Sequence, residues 1–101
     1  MGLDVVLFDK KGKQVDIFEV SESLHKAIFN SNNLWKSYIE LRRLSDYYLT
    51  DETLLGKRLI DLISELQSYK PNILTENLNE YEGFINKLTS PDVVKGHIAG
   101  D

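Results

Sequence analysis

Apolar residues recur along this chain at two different spacings. Leu3 to Phe8 and Val15 to Val20 are short runs rich in Val, Ile, Leu and Phe, separated by Asp9-Lys10-Lys11-Gly12-Lys13-Gln14. Such a pair predicts a β-hairpin in which Gly12 supplies the positive φ of the turn. In the second run Val15, Ile17 and Glu19 alternate with Asp16, Phe18 and Val20, so neither strand face is cleanly apolar.

Beyond Ser21 the period lengthens to that of a helix. Ser21 or Ser23 can cap a short helix carrying Leu24, Ala27 and Ile28, which Ser31-Asn32-Asn33 interrupts. A second helix is expected from about Leu34 to Ser45, with Leu34, Tyr38 and Leu41 on one stripe and Trp35 and Ile39 beside it. Thr50 before Asp51 and Glu52 reads as a hydroxyl cap followed by first-turn carboxylates, opening a third helix. Its seam is Leu55, Leu59, Leu62, Leu66 and Tyr69, and it should end before Pro71.

Leu74, Leu78, Tyr81, Ile85 and Leu88 repeat the four-three spacing and predict a fourth helix. Within it Gly83 stands among Glu76, Glu80 and Glu82, although glycine weakens a helix interior by roughly 1 kcal/mol relative to alanine. Either the missing side chain makes room for another backbone, or the helix begins near Asn79 or Glu80 and Gly83 lies in its first turn. The third and fourth seams should close on each other as an antiparallel pair covering the hairpin. After Ser90-Pro91, the segment Val93 to Ala99 predicts a strand returning to the sheet.

These elements predict an α+β fold, with residues 1–101 as one domain. The N-terminal hairpin and C-terminal strand form a small antiparallel sheet packed against about four helices.

Composition narrows the classes of function. With 42% hydrophobic and 28% charged residues among 101, the chain should fold without a partner. It has no cysteine, so disulfides and thiolate sites are excluded. The longest apolar run is Val5 to Phe8, far short of the ~20 residues of a membrane span, and no basic segment precedes it as in a signal peptide. A cytoplasmic location without membrane contact is expected. The net charge of -4 disfavours phosphate backbones and favours a basic protein partner.

Motifs for catalysis do not emerge. The two histidines, His25 and His97, lack a neighbouring ligand set; His25 is expected at a helix surface or boundary and His97 in a strand. No Gly-x-Ser-x-Gly elbow occurs. Gly56-Lys57-Arg58 lacks the upstream glycine and the following Ser or Thr of a phosphate loop. Glu80 and Glu82 are two apart on a helix and diverge. Arg42-Arg43 and Lys57-Arg58 have no aromatic platform beside them, so direct nucleic-acid binding is not expected. No catalytic, cofactor or metal site is assigned, and no enzyme is expected.

The stretch from Asp46 to Glu52 is different, because Tyr47 and Tyr48 crowd with Asp46, Asp51 and Glu52 at an interhelical connection. Tyrosine offers contact area with few rotamers and a polar tip, which suits a protein interface. The competing reading has one tyrosine completing the core while the acids cap the next helix.

Three segments, Gly2-Leu3-Asp4-Val5-Val6-Leu7-Phe8, Tyr81-Glu82-Gly83-Phe84 and Val93 to Ile98, resemble in that order a set of small bacterial and phage-borne proteins. Some similar small α+β proteins are immunity proteins of contact-dependent growth inhibition systems. Where relatives carry an Asn-x-x-His-Asn element after the hairpin, this chain has Ser23-Leu24-His25-Lys26. The resemblance implies a non-catalytic inhibitor that neutralises a cognate toxin, most often a basic nuclease such as an RNase, by occluding its active site or substrate surface. Asp46, Tyr47, Tyr48, Asp51 and Glu52, and separately Glu76, Glu80 and Glu82, are then the candidate partner-binding residues. The alternative is a phage or bacterial adaptor in assembly, with homo-oligomer formation left open.

Overall fold

A polar turn joins the first two strands because Asp9 organises it. Its Oδ1 accepts from the Lys11 and Lys13 amides, each at 2.9 Å, while the Gly12 amide donates to the Asp9 carbonyl at 3.0 Å. Gly12 there has φ +81°, a conformation that costs other residues a steric penalty. The computed structural model describes residues 3–100; Gly2, at the head of one of the resembling segments, lies outside them. The strands are β1 (Leu3–Phe8), β2 (Gln14–Val20), β3 (Asp51–Leu55) and β4 (Lys95–Ala99). The helices are α1 (Glu22–Ile28), α2 (Ile39–Arg42), α3 (Lys57–Tyr69) and α4 (Thr75–Leu88), with 3-10 turns at Leu34–Ser37 and Lys70–Asn72.

The fold is α+β. The four strands form one antiparallel sheet in the order β2-β1-β4-β3, so the hairpin and the returning strand meet as expected. Alternation sorts the strand residues. Leu3, Val5, Leu7, Val20, Leu54 and Ile98 are buried beneath the helices, while Asp4, Ile17, Glu19, Asp51 and Thr53 are exposed on the other face. Leu59, Leu62 and Leu66 of α3 and Tyr81, Ile85 and Leu88 of α4 complete the core, as their spacing predicted.

The third helix differs from its expected start. Thr50 opens a strand, not a helix, and Asp51 to Leu55 pair with β4. The Gly100 amide extends this ladder, donating to the Thr50 carbonyl at 2.7 Å. Gly56 then turns with φ +60° and ψ -124°, which is not a helical conformation, so α3 cannot run through it. Leu55 is consequently exposed and is not part of the seam. Leu74 is likewise exposed, because α4 starts after it at Thr75. That start places Gly83 in the helix interior and removes the reading in which it sat in a first turn.

The second predicted helix is broken. Tyr38, at φ -101° and ψ 108°, is extended and separates a 3-10 turn from the single turn of α2. Leu34 and Ile39 face solvent while Leu41 is buried. The Glu65 carboxylate caps α2 from α3, its Oε1 accepting from the Glu40 and Leu41 amides at 2.9 Å each. Among the described residues no helix is long and apolar enough to cross a membrane.

Candidate protein-binding surface

Asp46 builds the tyrosine turn. Its Oδ1 accepts from the Tyr48 amide at 3.0 Å and the Leu49 amide at 2.8 Å, and its backbone carbonyl accepts from the Thr50 hydroxyl. The turn thereby holds two apolar side chains out in solvent, Tyr48 at 62% exposure and Leu49 at 80%. Tyr47 is half-buried beside it.

Aromatic edges buttress this turn in series. Tyr48 meets Tyr47 at 5.2 Å between centroids, Tyr47 meets His25 at 5.0 Å, His25 meets Phe29 at 4.6 Å and Phe29 meets Trp35 at 5.4 Å. Tyr47 therefore packs on His25 outside the buried core and Tyr48 is exposed, while Asp51 and Glu52, which lie in a strand, cap no helix. Gly100 backs the same turn, since a Cβ there would stand 2.4 Å from the Tyr47 carbonyl oxygen.

His25 departs from its expected surface position and is buried. Its Nε2 donates to the Leu44 carbonyl at 3.0 Å, a partner 19 positions away that periodicity could not reveal. Burial holds its pKa below the ordinary value, opposed by the Leu44 hydrogen bond and the charge of Asp46. The unfolded chain thus takes up a proton near pH 6.5 while the folded chain resists until lower pH. Stability is full above that value and falls as pH drops from about 6.5 toward the lowered folded pKa. Urea titrations between pH 8 and 5 should show the midpoint falling in that window for the native chain and staying flat in His25→Asn. An equal slope in both would place the titration elsewhere.

Asp51 and Glu52, expected side by side in a helix turn, project to opposite faces because they lie in a strand. Asp51 pairs with His97 Nε2 at 2.7 Å on the open face of the sheet. Glu52 turns inward to Arg58 Nη2 at 2.7 Å. Arg58 also holds the buried Glu40, with Nη2 at 3.0 Å and Nε at 3.1 Å from its Oε1, and donates Nη1 to the Thr53 carbonyl. Glu52 thus serves the junction of β3, α2 and α3, and Lys57-Arg58 contributes a structural cation there.

On α4 the acids divide. Glu80 accepts from the Ser21 hydroxyl at 2.9 Å and from the Ser21 amide at 3.3 Å, just after β2 ends. Glu82 pairs with Lys70 at 3.3 Å on the side toward α3, and Glu76 is exposed in the first turn.

Strand register adds two acids that sequence reasoning missed. Glu19 is opposite Asp4, Asp4 is opposite Ala99, and Ala99 is opposite Asp51, so one row across all four strands carries three carboxylates. Ser21, which holds Glu80, follows this end of the sheet, and Asp51 opens β3 there next to the tyrosine turn. The structure therefore places Asp46, Tyr48, Asp51 and Glu80 toward the same end as Asp4 and Glu19, with Asp51 bound to His97, Glu80 to Ser21 and Asp46 to the turn amides, and puts Glu52 and Glu82 elsewhere. Among the described residues no group of three or more His, Cys, Asp or Glu is disposed to hold a metal ion. No family model matches the chain, and no curated protein or solved structure matches it either.

Proposed function

We propose that this chain is an immunity protein that binds a cognate toxin, a basic nuclease (RNase) domain of a contact-dependent growth inhibition system, and neutralises it by covering its active site or substrate surface. The observation that carries this reading is the Tyr48-Leu49 turn, held outward by Asp46 beside a row of carboxylates. Two exposed apolar side chains on a preformed turn are an anchor that loses little conformational freedom on docking. Carboxylates ranged beside it match a surface evolved to grip phosphate, and they speed encounter more than they tighten the final complex. The net charge of -4 has the same sign. The protein acts by occupancy, from the cytoplasm, without turnover of its own.

An immunity gene lies directly downstream of its toxin, so the natural test uses the preceding gene. Co-expression of this chain with that toxin domain should restore growth. A variant carrying Asp46→Lys, Asp51→Lys and Tyr48→Ala should associate at least tenfold more slowly and lose salt dependence. Unchanged association would remove this end of the sheet from the interface, and failure to rescue would sink the reading.

A further inference from the structure

Gly83 has no internal explanation. Its backbone is helical with no positive φ, so conformation does not demand glycine. A Cβ placed on it would meet nothing within 4 Å, whereas one on Gly96 would press on Leu7 Cδ2 at 3.3 Å. A helix-interior glycine is destabilising, and here neither strain nor close packing within the fold offsets that. The room it leaves opens outward into a groove of about 200 Å³ between α4 and the edge strand β2. Phe18, Val20, Leu24 and Phe84 wall the groove, and Phe18 and Phe84 fix its shape by an edge-on contact at 5.9 Å.

We infer that this groove is a socket for one large apolar side chain of a basic protein partner, a Phe, Leu or Met flanked by Lys or Arg. The inference rests on reading the chain as a protein-binding domain and names the anchor such a partner would bring. Size argues for a single side chain, since sites for whole small molecules run to about 300–1,000 Å³. Charge argues for its neighbours. Glu19, Glu80 and Lys87 line the groove; Glu80 is held by the Ser21 hydroxyl at 2.9 Å, and Lys87 stands 3.3 Å from Asp16 and 4.8 Å above the Phe18 ring. Two carboxylates thus line the groove against one ammonium group, and that ammonium is itself paired with Asp16 outside it. A second copy of this acidic chain would bring like charge to that groove, which disfavours self-docking.

The test uses short peptides and amide shifts in the intact chain. Acetyl-Arg-Phe-Arg-amide should shift the Gly83, Phe84 and Val20 amides saturably. Acetyl-Glu-Phe-Glu-amide should bind at least fivefold more weakly, and acetyl-Arg-Ala-Arg-amide should leave these amides in place. Gly83→Leu, which fills the groove from within, should abolish the shifts while keeping a Tm no lower than that of the native chain. Gly83→Ala should raise Tm by about 4–8 °C, the shift expected of a Gly to Ala exchange in a helix of a domain this size. No shift at Gly83, undiminished shifts in a folded Gly83→Leu, or equal binding of the acidic peptide would overturn the socket, the last pointing to an uncharged apolar ligand. Concentration-dependent shifts without peptide would overturn it in favour of a second copy. The peptides carry no toxin surface, so their failure leaves the toxin-neutralising reading standing, and a failed rescue in cells leaves the socket standing.

Discussion

Alanine in place of Tyr81 is expected to remove about 4 kcal/mol of stability, read from urea or thermal unfolding. Tyr81 is 0% exposed at the middle of the α4 stripe, so truncation opens a cavity the size of an aromatic ring. It also removes a hydrogen bond with a specific task. The hydroxyl donates to the carbonyl of Leu66, in the last turn of α3, where carbonyls have no partner within the helix. Tyr69 does the same for α1, donating to Ile28 at 2.8 Å. Burial accordingly raises the phenol pKa of both tyrosines, so these bonds stay protonated. Tyr81→Phe keeps the ring and strands the carbonyl, and should cost about 1–2 kcal/mol. Domains of this size hold about 5–15 kcal/mol in total, so the alanine variant is expected to lose between about a quarter and four fifths of its stability. A loss below about 1 kcal/mol in Tyr81→Ala would mean that α4 does not pack on α3 as described.

Arg58→Leu is the second large loss, expected at about 2–3 kcal/mol. Arg58 is the sole arginine in hydrogen-bonding contact with both Glu40 and Glu52 among the described residues, and the Glu40 side chain is only 9% exposed. Removing the cation leaves that carboxylate buried. The cost stays below the roughly 3–5 kcal/mol of a wholly buried pair because Arg58 is itself 38% exposed and Arg43 Nε lies 3.7 Å from Glu40. Replacing both partners, Glu40→Leu with Arg58→Leu, should recover more than half of the loss, since a buried ion pair exchanged for apolar groups is often close to neutral. Additive losses in a double-mutant cycle would show the two side chains to be uncoupled.

The elements that periodicity reveals are those whose stability is local or lies in one apolar stripe. β1, β2, α4 and most of α3 are of this kind. β3 was hidden because Thr50-Asp51-Glu52 imitates a helix cap, while its real determinant is pairing with β4, more than forty positions later. Thr53, β-branched, and Gly56 at positive φ were its local signals. α2 needs Glu65 to cap it from another helix, and His25 is buried by residues that follow it by about twenty positions. At the candidate surface, the Asp46 turn is local and readable. The row of Asp4, Glu19 and Asp51 depends on strand register, and the separation of Asp51 from Glu52 depends on the strand itself, so neither was visible in the chain.

Hydrogen exchange on a complex of this chain with the toxin domain proposed as its partner would locate the docking surface directly. Slowed exchange is predicted in the turn from Asp46 to Asp51 and in α4 around Gly83, relative to the free chain. Unchanged exchange at both, with protection confined to the Asp9 to Lys13 turn and the exposed side of α3, would contradict an acidic, tyrosine-bearing surface as the working part of this protein.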